Sequence, residues 1–365
     1  MRLIVLGIPH TVTSDEFNGC AFTAKVVKFL EMMQARRGYE IIHLGHKDSV
    51  VPAGVTNIAV TDNDIHRVAY GDDYVDKQTW RETGFNQFGI DDYAYREFHA
   101  RSIGVLSEIK QEHDIVCITF GFGHKAIADA HPDLINIETG IGYPAAFADW
   151  RIYESHAIRT AMYGPDSIAT CNQNSYYRVI PNYFRAEDFV YADKKEDYLL
   201  FLGRLGRNKG LDIAIDVAKH TGKRLIIAGQ GNIAEFGDLP PNIQHIGYAN
   251  IAMRQHLLAN AQALFVASQY MEPFCGTQIE AFLSGTPVIS PDYAAFVEYN
   301  IHGVTGIRCN TFKDYVDATE QVKQLDPKTI RAHGEQFLLP NIAPKFDAYF
   351  EDVLNVYKKK GWYTI

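Results

Sequence analysis

The chain has 365 residues, 47% of them hydrophobic, and a formal net charge of −9, which suits roughly two domains with a sizeable core in each. The acidic balance, without a cluster of Lys and Arg, argues against nucleic-acid partners and nucleic-acid-modifying chemistry, because such binding draws its affinity from phosphate neutralisation. Five dispersed cysteines (Cys20, Cys117, Cys171, Cys275, Cys309) lack CxxC spacing, and no apolar run approaches the roughly 20 residues that span a bilayer, so reduced thiols in a soluble, cytoplasmic protein without a secretion signal are expected.

A strand near 2–8 (RLIVLGI) opens the chain, and a helix over 20–36 follows the loop GIPHTVTSDEFNGCAFTAK. A dinucleotide dehydrogenase would carry GxGxxG directly after that strand. Gly7 is followed instead by IPHTVTSDEFNG, so the fingerprint is absent. Asn18 and Gly19 read as a turn before the helix. His43 and His46 lie at the end of a strand near 39–45, but the 14 histidines include no HExxH and no further ligand spacing, and no metal site is expected.

The segment Asp62–Phe98 concentrates Tyr70, Tyr74, Trp80, Phe85, Phe88, Tyr93 and Tyr95 among Asp72, Asp73, Asp91 and Asp92. Aromatic faces pack on sugar rings and carboxylates accept hydroxyl hydrogen bonds, so the segment reads either as an acceptor-side lid or as an insertion whose aromatics are core. A helix over 94–111, strands near 114–120 and 133–139, and a helix over 147–162 follow. Glu138, Thr139, Gly140 and Gly142 stand at a strand end, where open α/β sheets bind ligands. They are candidates for orienting an acceptor, with a structural role for Glu138 as the alternative.

Between Asn182 and Asp197, VIPNY gives way to the charged RAEDFVYADKKED, which marks a boundary between domains expected at 1–185 and 186–341. Strands near 198–205, 223–229, 263–268 and 287–290, with a helix over 211–220, continue the alternation. It predicts an α/β protein with two doubly wound parallel sheets. Phe346–Tyr357 is a last amphipathic stretch, and Lys358, Lys359 and Lys360 offer weak peripheral contact with an anionic membrane, or simple solvation.

Two loops of this second half carry the chemistry. Arg204 and Lys209 lie in the polar turn after the strand YLLFL, a planar fork and a mobile point charge suited to two successive phosphates, whereas Arg207 reads as solvated surface charge. In SQYMEPFCGTQIEAFL, Glu272 and Glu280 flank the start of a helix over Thr277–Leu283. The backbone of Phe274, Cys275, Gly276 and Thr277 can hold a diphosphate at the helix amino terminus. Ionised carboxylates are acceptors only, so Glu272 and Glu280 suit hydroxyl groups of a hexose or ribose. Thr277 and Glu280 also have the spacing of a capping box.

Taken together, FLGRLGRNKG, LIIAGQG, NIQHIGY, the Glu272/Glu280 pair, SGTPVIS and HGVTG resemble, in family order, the retaining GT-B glycosyltransferases of family 4. The likeness covers about half the chain. It implies two Rossmann-like domains facing across a cleft, with a terminal helix over 342–365 returning to the first. It implies that Arg204 and Lys209 bind the donor diphosphate, that Glu272 contacts the transferred sugar, that Glu280 binds the ribose, and that the base is met near His245–Tyr248, with Tyr248 a donor-site residue. Gly19 matches a glycine-containing loop that faces the donor phosphate, with Asn18, Glu138, Thr139 and Gly140 on the acceptor side. No cofactor or metal is implied; a UDP- or GDP-sugar is the co-substrate, and a carbohydrate or glycoconjugate supplies the acceptor hydroxyl. A non-catalytic nucleotide-sugar-binding protein of the same fold is the alternative. Two positions depart from the family: Cys275 stands where glycine is usual, and Ala294 and Ala295 replace Gly-Gly ahead of Glu298.

Overall fold

The computed structural model describes residues 1–85, 88–162 and 176–358. Cys171, Lys359, Lys360 and the end of the expected terminal helix lie outside them. The chain forms two compact units. One comprises Met1–Glu154, Arg159–Tyr183 and the chain from Ile342 onward; the other comprises Ser155–Ile158 and Phe184–Asn341.

The first unit is built on a parallel sheet of β1 (Arg2–Leu6), β2 (Glu40–His46), β3 (Val55–Thr61), β4 (Ile115–Ile118), β5 (Ile135–Ile141), β6 (Trp150–Tyr153) and β7 (Arg178–Val179), in the order β3-β2-β1-β4-β5-β6-β7. Strand order reverses between β1 and β4, the topological switch point. Helices α1 (Ala21–Gln34), α2 (Asn63–Tyr70), α3 (Asp72–Asp76), α4 (Trp80–Thr83), α5 (Tyr93–Ile109) and α6 (Phe122–Ala130) join the strands. Alternation along β1 sends Ile4 and Leu6 into a core with Phe98, Leu106 and Ile127, because successive strand residues face opposite sides of a sheet. The helix expected over 147–162 is corrected: Trp150–Tyr153 is a strand and the helix, α7, occupies only 156–162 of that stretch. WRIY is a short apolar run, and in such runs strand and helix patterns are hard to tell apart.

In the second unit β8 (Leu199–Leu202), β9 (Leu225–Ala228), β10 (Ile243–His245), β11 (Ala263–Phe265), β12 (Val288–Pro291) and β13 (Gly306–Cys309) form a parallel sheet ordered β10-β9-β8-β11-β12-β13. Its connecting elements are α8 (Leu211–Thr221), α9 (Ile251–Asn260), α10 (Gly276–Leu283), α11 (Ala295–Tyr299), α12 (Phe312–Gln321) and α13 (Pro327–Glu335). The apolar runs of β8, β9 and β11 follow from helices covering both faces. Leu199 and Phe201 pack with Leu211, Ile215 and Tyr315 on one side, and Leu200 and Leu202 with Ile279 and Phe282 on the other. Here the order reverses between β8 and β11, so the loops leaving those two strands flank the switch point. Lys195 ties α9 to α10: its Nζ donates to Ala259 O at 2.7 Å, Ser284 O at 3.0 Å and Thr286 Oγ1 at 2.8 Å. A last helix, α14 (Leu339–Lys358), contributes Phe346 to the first unit, edge-on to Phe29 with ring centroids 5.4 Å apart.

Four buried histidines stiffen the first unit as neutral rings. His10 Nδ1 meets Tyr95 Oη at 2.8 Å, His43 Nδ1 meets Asn57 Oδ1 at 2.7 Å, and His66 Nε2 and His124 Nε2 each donate to a carbonyl, Pro9 O and Gly7 O, at 2.9 Å. Burial pulls their pKa values to about 3 for His10 and His124 and about 4 for His43 and His66.

Unfolded histidines bind protons below about pH 6.5, so the stabilisation from the neutral rings is complete above that pH and is lost as pH falls toward 4, at about 1.4 kcal/mol per pH unit for each ring. Thermal midpoints should therefore drop steeply between pH 6.5 and 4, with a shallower drop in His43→Gln; a flat profile contradicts this account. Ala294 has φ 53° and ψ −143°, a region essentially reserved for glycine. Ala294→Gly should raise stability by about 1 kcal/mol, read as a higher midpoint in thermal unfolding, and a lower midpoint would show that the position carries no strain.

Candidate functional site

Glycines set the geometry of the switch point in the second unit. The loop after β8 lies against the loop after β9: Gly203 N donates to Ala228 O at 3.0 Å and Leu205 N to Gln230 O at 2.8 Å. A Cβ on Gly229 would sit 1.7 Å from Gly203 O, and one on Gly210 (φ +70°) would sit 2.0 Å from Ala267 O. Only glycine permits these approaches. They fix Lys209, the last residue of the short Arg207–Lys209 turn, beside the loop after β11.

There Lys209 Nζ stands 2.7 Å from Glu272 Oε1 and donates also to the Tyr270 hydroxyl. Ser268 Oγ donates to the same Glu272 oxygen at 2.8 Å. Tyr293 pins the loop from behind, its hydroxyl donating to Ser268 O at 2.6 Å and Tyr270 O at 2.9 Å. The Glu272 side chain is 7% exposed and that of Lys209 24%, so the pair is largely desolvated while its lysine end still reaches water. Burial lowers the Lys209 pKa, but the Glu272 charge and the bonds to Glu272 and Tyr270 outweigh it and leave a net rise. The ammonium is charged at neutral pH. Burial and the Glu272 charge push the Tyr270 phenol up to about 12.

The same loop then enters α10. Phe274 is buried beside Phe184, Tyr299 and Phe337 and acts as an anchor, leaving its backbone at the loop surface. Cys275 is the N-cap residue, with a left-handed φ of 63°, and provides no side-chain cap. Helices α9, α12 and α13 are all capped, by Asn250, Thr311 and Asp326. The amides opening α10, Gly276 and Thr277, form a helix start that no side chain caps, as at α8 and α11 of this unit, a setting that favours an anion. The Cys275 thiol, buried and 3.5 Å from Thr277 Oγ1, is pushed up to about 12 chiefly by burial, which keeps it protonated. The capping box at Thr277 and Glu280 is not formed. The helix begins one residue earlier, and the Glu280 carboxylate instead accepts from Arg254 Nη2 of α9.

The structure brings Lys209 to Glu272 and keeps Arg204 apart: Arg204 is exposed, with no hydrogen bond or ion pair among the described residues. Arg207 is exposed, near Asp212 at 3.8 Å. Tyr248 is 46% exposed two residues before the Asn250 cap. Glu298 caps α7, accepting from Ala157 N at 2.6 Å and His156 N at 2.8 Å. Sequence reasoning missed Ser268, Tyr270, Tyr293 and Arg254. Ser268 and Tyr270 precede Glu272 by four and two positions and were within reach of a local reading; Arg254 and Tyr293 meet their partners only through the fold.

In the first unit, Glu138 is corrected from an acceptor-orienting acid to a structural one. Its carboxylate is fully buried and accepts from Tyr143 Oη at 3.0 Å and from Phe147 N and Ala148 N at 2.9 Å each, shaping the loop after β5. Thr139 Oγ1 donates to Ile118 O at 3.2 Å, and Gly140 O accepts from Lys25 Nζ at 3.0 Å. The aromatic segment takes the core alternative: Tyr74 and Trp80 are buried with Phe17, Tyr70 and Phe85, and His10 stacks on Phe88 at 3.9 Å. Asn18 is half-buried and Gly19 exposed at the entrance to α1.

Residues 185–332, which include every one of the loops at the second switch point, match the glycosyl transferases group 1 family. A 2-deoxystreptamine N-acetyl-D-glucosaminyltransferase of Niallia circulans is 27% identical over 180 residues, 44% of this chain and 45% of that protein. A glycogen synthase of Mycobacterium tuberculosis strain H37Rv is 30% identical over 123 residues, 30% of each chain. The chain therefore spans less than half the length of these curated relatives in the matched region. Among solved structures, AviGT4, a glycosyltransferase involved in avilamycin A biosynthesis, superposes with a TM-score of 0.69 at 20% identity, over 97% of this chain and 98% of that one. Alr3699/HepE of Anabaena, solved in complex with UDP and glucose, gives 0.63 at 15% identity, over 96% and 100%. At such identities the likeness is one of fold. Residues 185–332 thus carry the glycosyl transferases group 1 pattern, and the two parallel-sheet α/β units are those of the GT-B fold.

Proposed function

We propose that the protein is a glycosyltransferase that moves a hexose from a UDP- or GDP-sugar to a hydroxyl of a glycan or glycoconjugate, with retention of configuration and without a metal. The observation that carries this reading is the Lys209–Glu272 pair, 2.7 Å apart at the switch point, beside a helix start without a side-chain cap. The relatives are described as glycosyltransferases or a glycogen synthase, and one structural neighbour was solved with UDP and glucose. A cytoplasmic setting suits the four free, buried cysteines among the described residues, where no helix is long and apolar enough to cross a membrane.

Departure of the nucleoside diphosphate leaves negative charge growing on the leaving oxygen. Lys209, the amides of Gly276 and Thr277, and the exposed Arg204 supply positive charge and donors for that oxygen and its phosphates, and preorganised donors of this kind are usually the largest contribution to catalysis. Glu272, held by Ser268, is an acceptor aimed at sugar hydroxyls and orients the hexose rather than attacking it. The acceptor hydroxyl enters on the face that the phosphate leaves, and the departing phosphate oxygen takes its proton. The C–O bond to the sugar is thus broken and remade on one face, which retains configuration. Glu280 receives the ribose, and Tyr248 lies where the base is met.

Lys209→Ala should lower both transfer and slow donor hydrolysis by about 10²-fold or more, with unchanged circular dichroism showing that the fold is kept; full turnover in that variant would remove Lys209 from the mechanism. Glu272→Gln should impair turnover while binding of the bare nucleoside diphosphate stays near wild type, because the carboxylate is assigned to the sugar. A thermal-shift panel with UDP, GDP, ADP and their sugars identifies the donor, since a ligand that binds only the native state raises the midpoint. Binding without hydrolysis or transfer would instead favour a non-catalytic nucleotide-sugar-binding protein.

A further inference from the structure

The partner of Glu280 was not foreseen from the sequence. Arg254 lies on the first turns of α9, whose start is capped by Asn250 with its side chain accepting from Met253 N at 2.9 Å. Through Nη2 it donates to Glu280 Oε2. Among the described residues no other hydrogen bond engages either group, so Glu280 keeps a second oxygen and the guanidinium keeps its remaining N–H donors. An arginine and a carboxylate that serve only each other are frequently joined by two parallel bonds. This pair uses one. Its side chains are 36% and 18% exposed for Arg254 and Glu280, so both keep surface that a ligand can reach. Lys195, bridging the carboxyl ends of α9 and α10, holds the two helices in register beneath the pair.

An acceptor edge beside a donor edge matches a vicinal diol: one hydroxyl donates a hydrogen bond to the carboxylate while the oxygen of the next accepts one from the guanidinium. We propose that Arg254 is a nucleoside-recognising residue of this chain, reading the ribose diol together with Glu280 and so selecting ribonucleotides over their 2′-deoxy forms. This rests on the donor reading above, in which Glu280 receives the ribose. It adds a direct contact from Arg254, distinct from a role in which the arginine merely positions Glu280.

The test is calorimetric titration with whichever of UDP, GDP and ADP wild type binds tightest, with its 2′-deoxy analogue, and with inorganic pyrophosphate. Wild type should prefer the ribonucleotide about tenfold or more, the size of one lost hydrogen bond to a charged group. Arg254→Met should erase that preference while pyrophosphate affinity is unchanged, which also shows an intact phosphate site, and Arg254→Lys should recover part of the preference. Glu280→Gln alone and combined with Arg254→Met separates contact from positioning. An additional loss of ribonucleotide affinity in the double variant supports direct contact, whereas equality of the double variant with Glu280→Gln overturns it and leaves the donor reading intact. Failure of wild type to bind any of the three nucleotides overturns the donor reading and the inference with it.

Discussion

The close approach of three loops at the second switch point is the constraint on which the site depends. With no side chain at Gly210 and Gly229, the segment after β8 packs directly on its neighbours, and Lys209 is brought beside the loop after β11. Glu272 then meets it at hydrogen-bond distance. Ser268, Tyr270 and Tyr293 hold the acid and the loop that carries it. A charged pair this desolvated is costly unless its geometry and its remaining hydrogen bonds are satisfied. Here two hydroxyl groups supply those bonds. The arrangement is therefore a consequence of backbone packing first and of electrostatics second.

The parts of the fold that could be read from the chain are those where one local signal suffices. Central strands such as LLFL and LIIA are apolar throughout because helices cover both sheet faces, and they stand out in the sequence. The strands that were missed include β3, β7, β10 and β13, all at sheet edges, where residues such as Asn57, Gln244 and Arg308 break the apolar run. The site divides in the same way. Lys209 and Glu272 each lie in a short, patterned turn after a strand, and those turns carry the family likeness. Arg254 finds Glu280 through the packing of α9 on α10, a relation with no trace in local spacing. Glu138 shows the opposite error: an acid at a strand end looks the same in sequence whether it awaits a ligand or caps its own loop.

The two departures from the family pattern have one structural expression. Cys275 and Ala294, where the resemblance to the family leads one to expect glycine, both adopt positive φ, 63° and 53°. Each non-glycine side chain is accommodated at this positive φ, at a cost of the order of 1 kcal/mol or more. At Cys275 the side chain turns into the core beside Thr277 and leaves the first amides of α10 on the loop side. The loop thus holds a left-handed turn at a residue other than the glycine that ordinarily adopts it.

One consequence concerns the speed of encounter rather than the chemistry. Lys209 is already balanced by Glu272, so at distances beyond a Debye length of about 8 Å the couple presents little net field. Arg204, exposed and without an ion pair among the described residues, is the cation of this loop that an approaching phosphate senses first. In the proposed reaction, capture therefore falls to Arg204 and is weakened by ionic strength, whereas the exchange of partners at Lys209 comes later, at contact, where salt screens little.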